Sequence, residues 1–183
     1  MLEGLVEKEG RIVRVQTVHG AIEGELSISP SIRTLDELNL ATQKFLRIDA
    51  PAVTLPGYSF DDGLLGINKE SVLFVVETSH CHPTTDQRVE RSHFVRTPIR
   101  LRVGEFDIQG FLHIRGLRDP LTWLSQSRQP FLALTAASVV GPDVDFATSF
   151  IAVSPRHVLA AQGLAPEEAV TAVGQEAAGI EAR

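Results

Sequence analysis

Two stretches of the chain are similar, with five of eleven residues identical. Residues 43–53 read QKFLRIDAPAV and residues 129–139 read QPFLALTAASV, and a shift of 86 positions aligns them without a gap. The alignment extends in both directions, and most identical positions are apolar or glycine, the residue types that specify a core or a turn. We therefore expect the chain to contain two copies of one folding unit. The aligned pairs include Ile22 with Ile108, Gly24 with Gly110, Leu26 with Leu112, Phe45 with Phe131 and Leu46 with Leu132.

Each copy carries the same predicted elements in the same order: strand, strand, short helix, strand and strand. The segment RIVRVQTV (11–18) alternates apolar and polar residues, and this period of two is typical of a half-buried strand. His19-Gly20 is a turn signal, so this strand and AIEGELSI (21–28) are expected to form a hairpin. A sheet of so few strands buries a core by curling on itself. The sequence therefore predicts two tandem small β-barrels, each with an inserted short helix.

The start of the inserted helix is predicted in both copies. In the first copy, Thr34 is a candidate N-cap with Glu37 three residues later, which is the spacing of a capping box. In the second copy, Asp119 is the candidate cap and Pro120 takes the first helical position, where proline fits.

Glycine interrupts the second predicted strand of each copy, at Gly24 and Gly110. A glycine in the middle of a strand marks a sharp bend or a close approach of another backbone. The apolar residues that alternate along these strands and their neighbours are expected to form the cores. The predicted core residues are Val13, Val15, Ile22, Leu26, Leu38, Phe45, Leu46, Ile48, Ile99, Leu101, Ile108, Leu112, Leu124, Phe131, Leu132 and Leu134.

Two motifs of each copy match a known family. Gly24-Glu25-Leu26 and Gly110-Phe111-Leu112 have the form of a Gly-x-Leu bend, and Ile48-Asp49-Ala50 and Leu134-Thr135-Ala136 end a later strand. In these motifs the chain resembles Sm-like small β-barrels, and it looks closest to bacterial Sm-like domains of unassigned function. The resemblance implies the fold but not the family's RNA pocket, because Asp36 is displaced by the inserted helix and neither copy has Arg-Gly at the last turn.

The repeat also predicts how the chain is divided. The tail begins favourably for a helix, with Pro166 and Glu167 in the first turn, and Gly174 and Gly179 then weaken it. The predicted parts are a first Sm-like barrel in 1–78, a linker in 79–96, a second Sm-like barrel in 97–163 and a C-terminal helix or tail in 164–183.

Composition narrows the possible partners and compartments. The formal net charge is −6, and such an acidic balance argues against broad nucleic-acid binding, which depends on neutralising phosphates. Cys81 is the single cysteine, so no intramolecular disulfide forms, which fits a reducing compartment. The acidic N-terminus has no apolar signal region, and no apolar run approaches the roughly 20 residues that span a bilayer. We expect a cytoplasmic protein without membrane contact.

The segment between the copies contains candidate metal ligands. His80, Cys81 and His82 are residue types that bind zinc or copper. They have neither CxxC nor HxxxH spacing, and the His82-Pro83 step indicates an extended or turning chain. A polar linker with incidental histidines is therefore the favoured interpretation, and we predict neither a metal nor another cofactor.

The same segment begins a run of arginines in an otherwise acidic chain. Arg88, Arg91 and Arg96 are candidate ligand-binding residues for an anion, and Arg100 and Arg102 follow them. The favoured interpretation is a linker that continues into a strand with a solvated face, because the last two arginines alternate with apolar residues. An anion site is the alternative.

The motifs of common enzyme classes are absent from the sequence. It contains no glycine-rich phosphate loop, nucleophile elbow or HExxH motif, so we expect a protein that is not an enzyme. The favoured hypothesis is a non-catalytic interaction or scaffold protein that binds a protein partner, or itself, through barrel edges. The alternative is a nucleic-acid or nucleotide-binding protein that uses the central arginines, and a steep salt dependence of binding would distinguish it.

Overall fold

The computed structural model of the chain describes residues 9–29, 32–54, 63–78, 94–116 and 119–165, most of them in β-strands. The chain divides into two units, Met1–His80 and Cys81–Arg183. The first strand of the second unit begins at Phe94, inside the predicted linker. Most of that linker and the predicted C-terminal helix lie outside the described residues.

Unit 1 is an antiparallel sheet of five strands with one short helix. Its elements are β1 (Glu9–Thr17), β2 (Gly20–Ile28), α1 (Thr34–Leu38), β3 (Phe45–Thr54), β4 (Leu64–Asn68), a 3-10 turn (Lys69–Ser71) and β5 (Val72–Glu77). The strand order is β5-β1-β2-β3-β4. The predicted β1–β2 hairpin is confirmed, and its last pair joins Thr17 to Gly20.

Unit 2 has the same arrangement. Its elements are β6 (Phe94–Val103), β7 (Phe106–Arg115), α2 (Pro120–Gln126), β8 (Leu132–Gly141), β9 (Val144–Val153), a 3-10 turn (Pro155–His157) and β10 (Val158–Gly163). The strand order is β10-β6-β7-β8-β9, and every pair of neighbours is antiparallel. A short helix is thus inserted before the third strand of each unit, as predicted.

The elements of the two units recur at the spacing of the sequence repeat. β2 begins at Gly20 and β7 at Phe106, 86 residues later. The 3-10 turns begin at Lys69 and Pro155, again 86 residues apart, and each leads into a final strand of six residues. Several elements of the two units therefore begin 86 residues apart, at the spacing of the aligned sequence copies.

Both units bend at the same pair of strands. The register between β2 and β3 shifts around Gly24, and the register between β7 and β8 shifts around Gly110. On the opposing strands, Ala50 and Ala136 each have a φ of 45°. Non-glycine residues adopt positive φ rarely, and a β-bulge of this kind increases the local bend of the strand.

At both bends, the neighbouring strand leaves little room for a side chain at the glycine position. A Cβ atom on Gly24 would lie 2.4 Å from Ile48 Cγ2 and 2.8 Å from the backbone oxygen of Asp49. A Cβ atom on Gly110 would lie 3.1 Å from Ala137 Cβ, which is tight but less severe. The prediction that these glycines mark a close approach between strands is confirmed.

The predicted core residues are buried, with two exceptions. Phe45 is 53% exposed, and its assignment to the core is wrong. It begins β3 directly before the buried Leu46, and alternation along a strand turns adjacent side chains to opposite faces. Its counterpart Phe131 lies one residue before β8, where strand alternation does not fix the direction of the side chain, and it is buried. Leu124 on α2 is only half-buried, so its placement in the core is also wrong.

Of the two predicted helix N-caps, one is wrong and one is confirmed. The N-cap of α1 is Arg33 and makes no side-chain cap hydrogen bond, so the predicted cap at Thr34 is wrong. The predicted cap of α2 is confirmed, because the Asp119 carboxylate accepts a hydrogen bond of 2.8 Å from the Thr122 backbone N–H. This bond holds the pKa of Asp119 below its ordinary value. Pro120 begins the helix, as predicted.

The predicted closure into barrels is not observed. Within the described ranges, no hydrogen-bonded pairing joins the two end strands of unit 1, β4 and β5, or those of unit 2, β9 and β10. Each unit is therefore an open, bent sheet of five strands whose inner face carries the core. None of the helices in the described part of the chain is long and apolar enough to cross a membrane.

Candidate functional site

One face of unit 2 is rich in arginine and aromatic side chains. Along β6, buried residues such as Ile99 and Leu101 alternate with residues of the outer face. The outer residues of β7 stand opposite those of β6, because the register pairs Arg96 with His113. All four arginines of this surface are exposed. We call it the arginine face; it consists of Phe94, Arg96, Arg100, Arg102, Asp107, Phe111, His113 and Arg115.

Two of these arginines stack on phenylalanine rings. The guanidinium carbon of Arg96 lies 4.3 Å from the centroid of the Phe111 ring, and that of Arg115 lies 5.2 Å from the centroid of Phe94. Both distances are within the range of cation–π attraction. Stacking orders the long arginine side chains before any ligand arrives, which lowers the conformational entropy that binding would remove.

A third arginine shows how this face recognises a carboxylate. Arg100 Nε donates to both carboxylate oxygens of Asp107 at 2.9 Å, and Arg100 Nη2 also donates to Asp107 Oδ2. The hydrogen bonds and the charge of Asp107 raise the pKa of Arg100 above its ordinary value. The planar guanidinium matches the carboxylate through several donors at once.

The other cations of the face lack such a partner. Within the described residues, no carboxylate lies within ion-pair distance of Arg96, Arg102 or Arg115. The face therefore carries four arginines against one aspartate, although the whole chain has a net charge of −6. Positive charge concentrated in this way attracts anions.

A histidine hydrogen bond joins the face to the next strand, β8. His113 Nε2 lies 2.8 Å from Thr135 Oγ1, with the donor set by the tautomer of the ring. The equivalent residues of unit 1 also interact, because Ser27 Oγ donates to Asp49 Oδ2 at 2.9 Å. In each unit this hydrogen bond joins the second strand to the third next to the bulge. The two units therefore have the same link between strands, made by different side chains.

The equivalent surface of unit 1 has the opposite balance of charge. It carries three carboxylates and two arginines, and Arg14 Nη1 lies 3.7 Å from Glu23 Oε1. Glu25 occupies the position that corresponds to Phe111. We call this surface the acidic face; it consists of Ile12, Arg14, Glu23, Glu25, Ser27, Arg47 and Asp49.

A separate polar cluster lies on the inner side of unit 1. Thr34 Oγ1 donates to Glu77 Oε2 at 2.5 Å and accepts from Arg11 Nη1 at 3.1 Å. The charged pair Arg11–Glu77 is 3.9 Å apart, with 11% of each side chain exposed. The cluster links β1, α1 and β5. In unit 2, Pro120 and Gly163 take the positions of Thr34 and Glu77, and they pack next to each other. The same elements are thus joined by packing in unit 2 and by polar contacts in unit 1, so we interpret the cluster as structural.

A buried lysine also has a structural role. Lys69 Nζ donates to the backbone oxygens of Glu37 and Leu40, at 3.2 Å in both cases. These carbonyls belong to the end of α1 and the loop after it, where each also accepts a backbone N–H, and a cation there complements the negative end of the helix. Burial lowers the pKa of Lys69 below its ordinary value, and the charge of Glu37 opposes this shift.

The structure places only one of the predicted site residues. Arg96 lies on the arginine face, and its assignment as a ligand-binding residue stays a prediction. The other predicted candidates, Arg88 and Arg91 for a ligand and His80, Cys81 and His82 for a metal, lie outside the described residues. In the part of the chain that is described, no group of three or more His, Cys, Asp or Glu side chains could hold a metal ion.

Sequence reasoning missed most of the arginine face. The alternation of Arg100 and Arg102 with apolar residues was a usable signal for an outer strand face. The contribution of Phe111 and Arg115 required the register of β7 against β6. The guanidinium groups of this surface can attract and orient anions but supply no general base. No family model, curated protein or solved structure gives a significant match to this chain.

Proposed function

We propose that the chain is a non-catalytic interaction protein of two duplicated Sm-like units, and that it binds a second copy or another protein through β4 and β10. The observation that carries this proposal is the position of these two strands. In the described residues, β4 has only β3 as a hydrogen-bonded neighbour, and β10 has only β6. Each therefore presents a row of backbone N–H and C=O groups that a further strand can pair with.

The sequences of the two outer strands support this use. Edge strands that must stay unpaired usually carry charges or proline. The segments LLGIN of β4 and VLAAQG of β10 contain neither. Leu64 is 51% exposed and Leu159 is 74% exposed, so an apolar side chain stands on each outer strand. Burying such a side chain in an added sheet would contribute about 1.5–3 kcal/mol.

The duplicated, Sm-like character rests on the agreement between sequence and backbone. The two sequence copies and the two sets of elements share one spacing, and the Gly-x-Leu motifs stand at the bends of both units. The proposal includes a cytoplasmic location, which a chain with a single cysteine fits.

Substitution of an outer strand tests the proposal. At high salt, which screens the charged surfaces, we expect the wild-type chain to sediment as a concentration-dependent oligomer and Leu159→Lys to remain monomeric, because the lysine would be buried at the new strand pair. Val18→Lys is the matched control, since Val18 is 48% exposed but lies in the β1–β2 turn. A wild-type chain that stays monomeric and captures no partner strand, or a Leu159→Lys variant that associates like the wild type, would contradict edge pairing.

The arginine face favours a second candidate, the binding of single-stranded nucleic acid. Arginines neutralise phosphates, and aromatic rings stack with bases. Arg102→Ala should weaken the binding of a labelled oligonucleotide and reduce the salt slope by about 1. Arg128→Ala, at an exposed arginine outside the face, should change neither. Equal binding by both variants, or no binding at low salt, would exclude this function for the arginine face.

A further inference from the structure

The arginine face and the acidic face are built on equivalent backbones. The arginine face lies on the first two strands of unit 2 and the acidic face on the first three strands of unit 1, and both lie beside the register shift at a mid-strand glycine. Residues of the two faces that are 86 positions apart therefore stand at the same places on a similarly bent sheet. The two surfaces differ in chemistry much more than in shape.

The difference is sharpest at one pair of positions. In unit 2, the Arg96 guanidinium lies over the ring of Phe111. In unit 1, the corresponding residues are Gly10 and Glu25, and the Glu25 carboxylate lies over Gly10, where any side chain would collide with it. The same spot of the surface thus presents a cation in unit 2 and an anion in unit 1. Arg115 and Arg102 extend the positive charge on one face, and Glu23 extends the negative charge on the other.

Both faces also offer apolar contact beside these charges. Ile12 stands opposite Glu25 and is 47% exposed, although it is surrounded by polar residues. On the arginine face, Phe94 and Phe111 are only partly covered. Protein interfaces combine aromatic residues and arginine with complementary charge on the partner.

We propose that the arginine face of one copy of the chain binds the acidic face of a second copy. Each copy carries both surfaces, so each copy offers the other a face of complementary charge. The bond between Arg100 and Asp107 shows the chemistry in one chain: guanidinium groups of this face take carboxylates through several N–H donors. This interface is separate from the strand edges of the proposed function, and it depends on salt.

Two charge-reversed variants test the interface. The first carries Arg96→Glu and Arg115→Glu, which makes its arginine face negative. The second carries Glu23→Arg and Glu25→Arg, which makes its acidic face positive. Neither should bind itself through these faces, because each then presents like charges on both. A mixture of the two should associate, because each supplies the unaltered face that the other lacks and the two altered faces also attract.

Binding is measured between immobilised and free chains at low and high salt, in the four combinations of the two variants and in the wild type. The part of the binding that is lost at high salt reports the two faces. We expect this part to be at least about tenfold weaker for each variant with itself than for the wild type, and the mixed pair to recover it. Lys44→Glu with Arg128→Glu, both exposed and outside the two faces, is the control with the same change of net charge as the first variant. Circular dichroism confirms folding.

The combinations separate this interface from edge pairing. Association through β4 and β10 would be similar in all combinations and would persist at high salt. A mixed pair that binds no better than either variant binds itself, with both variants folded, would overturn the proposal. Weak self-binding by each variant together with recovery in the mixed pair at low salt would establish it.

Discussion

Phe131→Ala should lower the free energy of unfolding of unit 2 by about 3–5 kcal/mol. Phe131 is 1% exposed and is among the largest fully buried side chains of the chain. Its removal takes away the transfer free energy of a whole ring and leaves a cavity between strands that cannot collapse completely. Phe45→Ala, at the aligned position of unit 1, should cost less than about 1 kcal/mol, because that ring already stands mostly in water.

Urea denaturation measures this difference. Circular dichroism reports the strands of both units, and the fluorescence of the single tryptophan, Trp123 on α2, reports unit 2. Phe45→Ala serves as the control for the loss of a phenylalanine at an aligned position. Equal losses of stability in the two variants would show that the burial of these two rings has been assigned wrongly.

Gly24→Ala should destabilise unit 1 by about 3 kcal/mol, at the upper end of the usual cost of overpacking. The new methyl group would overlap the Ile48 side chain and the backbone oxygen of Asp49. A side chain can change rotamer, but the backbone oxygen belongs to the strand that pairs with β2, so relief requires movement of β3. The bulge and the surface beside it would shift together.

Gly110→Ala is the matched comparison. Its Cβ atom would meet Ala137 Cβ at 3.1 Å and Leu134 Cβ at 3.2 Å, contacts that a shift of a few tenths of an ångström relieves. Alanine also reduces the freedom of the unfolded chain, which offsets part of the strain. We expect a loss of about 1 kcal/mol or less. A larger loss for Gly110→Ala than for Gly24→Ala, in the same denaturation experiment, would mean that Gly110 is the more tightly packed of the two glycines.

Most of the strand structure follows from the sequence because period-two alternation and turn residues are local signals. They predict the hairpin of β1 and β2 and the tight contact at Gly24. They fail where two apolar residues are adjacent, as at Phe45 and Leu46, since only the start of the strand decides which one faces the core. Thr34 resembles a helix cap in sequence, yet its hydroxyl bonds with Arg11 and Glu77, which are distant along the chain.

The candidate site was harder to predict because it is assembled across strands. The run of arginines is visible in the sequence, but the stacking of Arg96 on Phe111 depends on the pairing of β6 with β7. The contrast between the two faces requires the alignment of the copies together with the direction of each side chain. Neither is available from composition, which shows only an acidic chain.

The pairing of the first and last strands has a consequence for synthesis of the chain on the ribosome. In unit 1, Val13 pairs with Glu77, and in unit 2, Ile99 pairs with Gly163, so each of these contacts spans 64 residues. Contacts between distant residues slow folding, because a long loop must be ordered before they form. Neither unit can complete its sheet until its final strand has left the exit tunnel. During translation, β1 lacks its partner β5 and β6 lacks its partner β10 until those last strands emerge. If the ribosome stalls before residue 158, β10 is missing and β6 remains an open edge of the second unit.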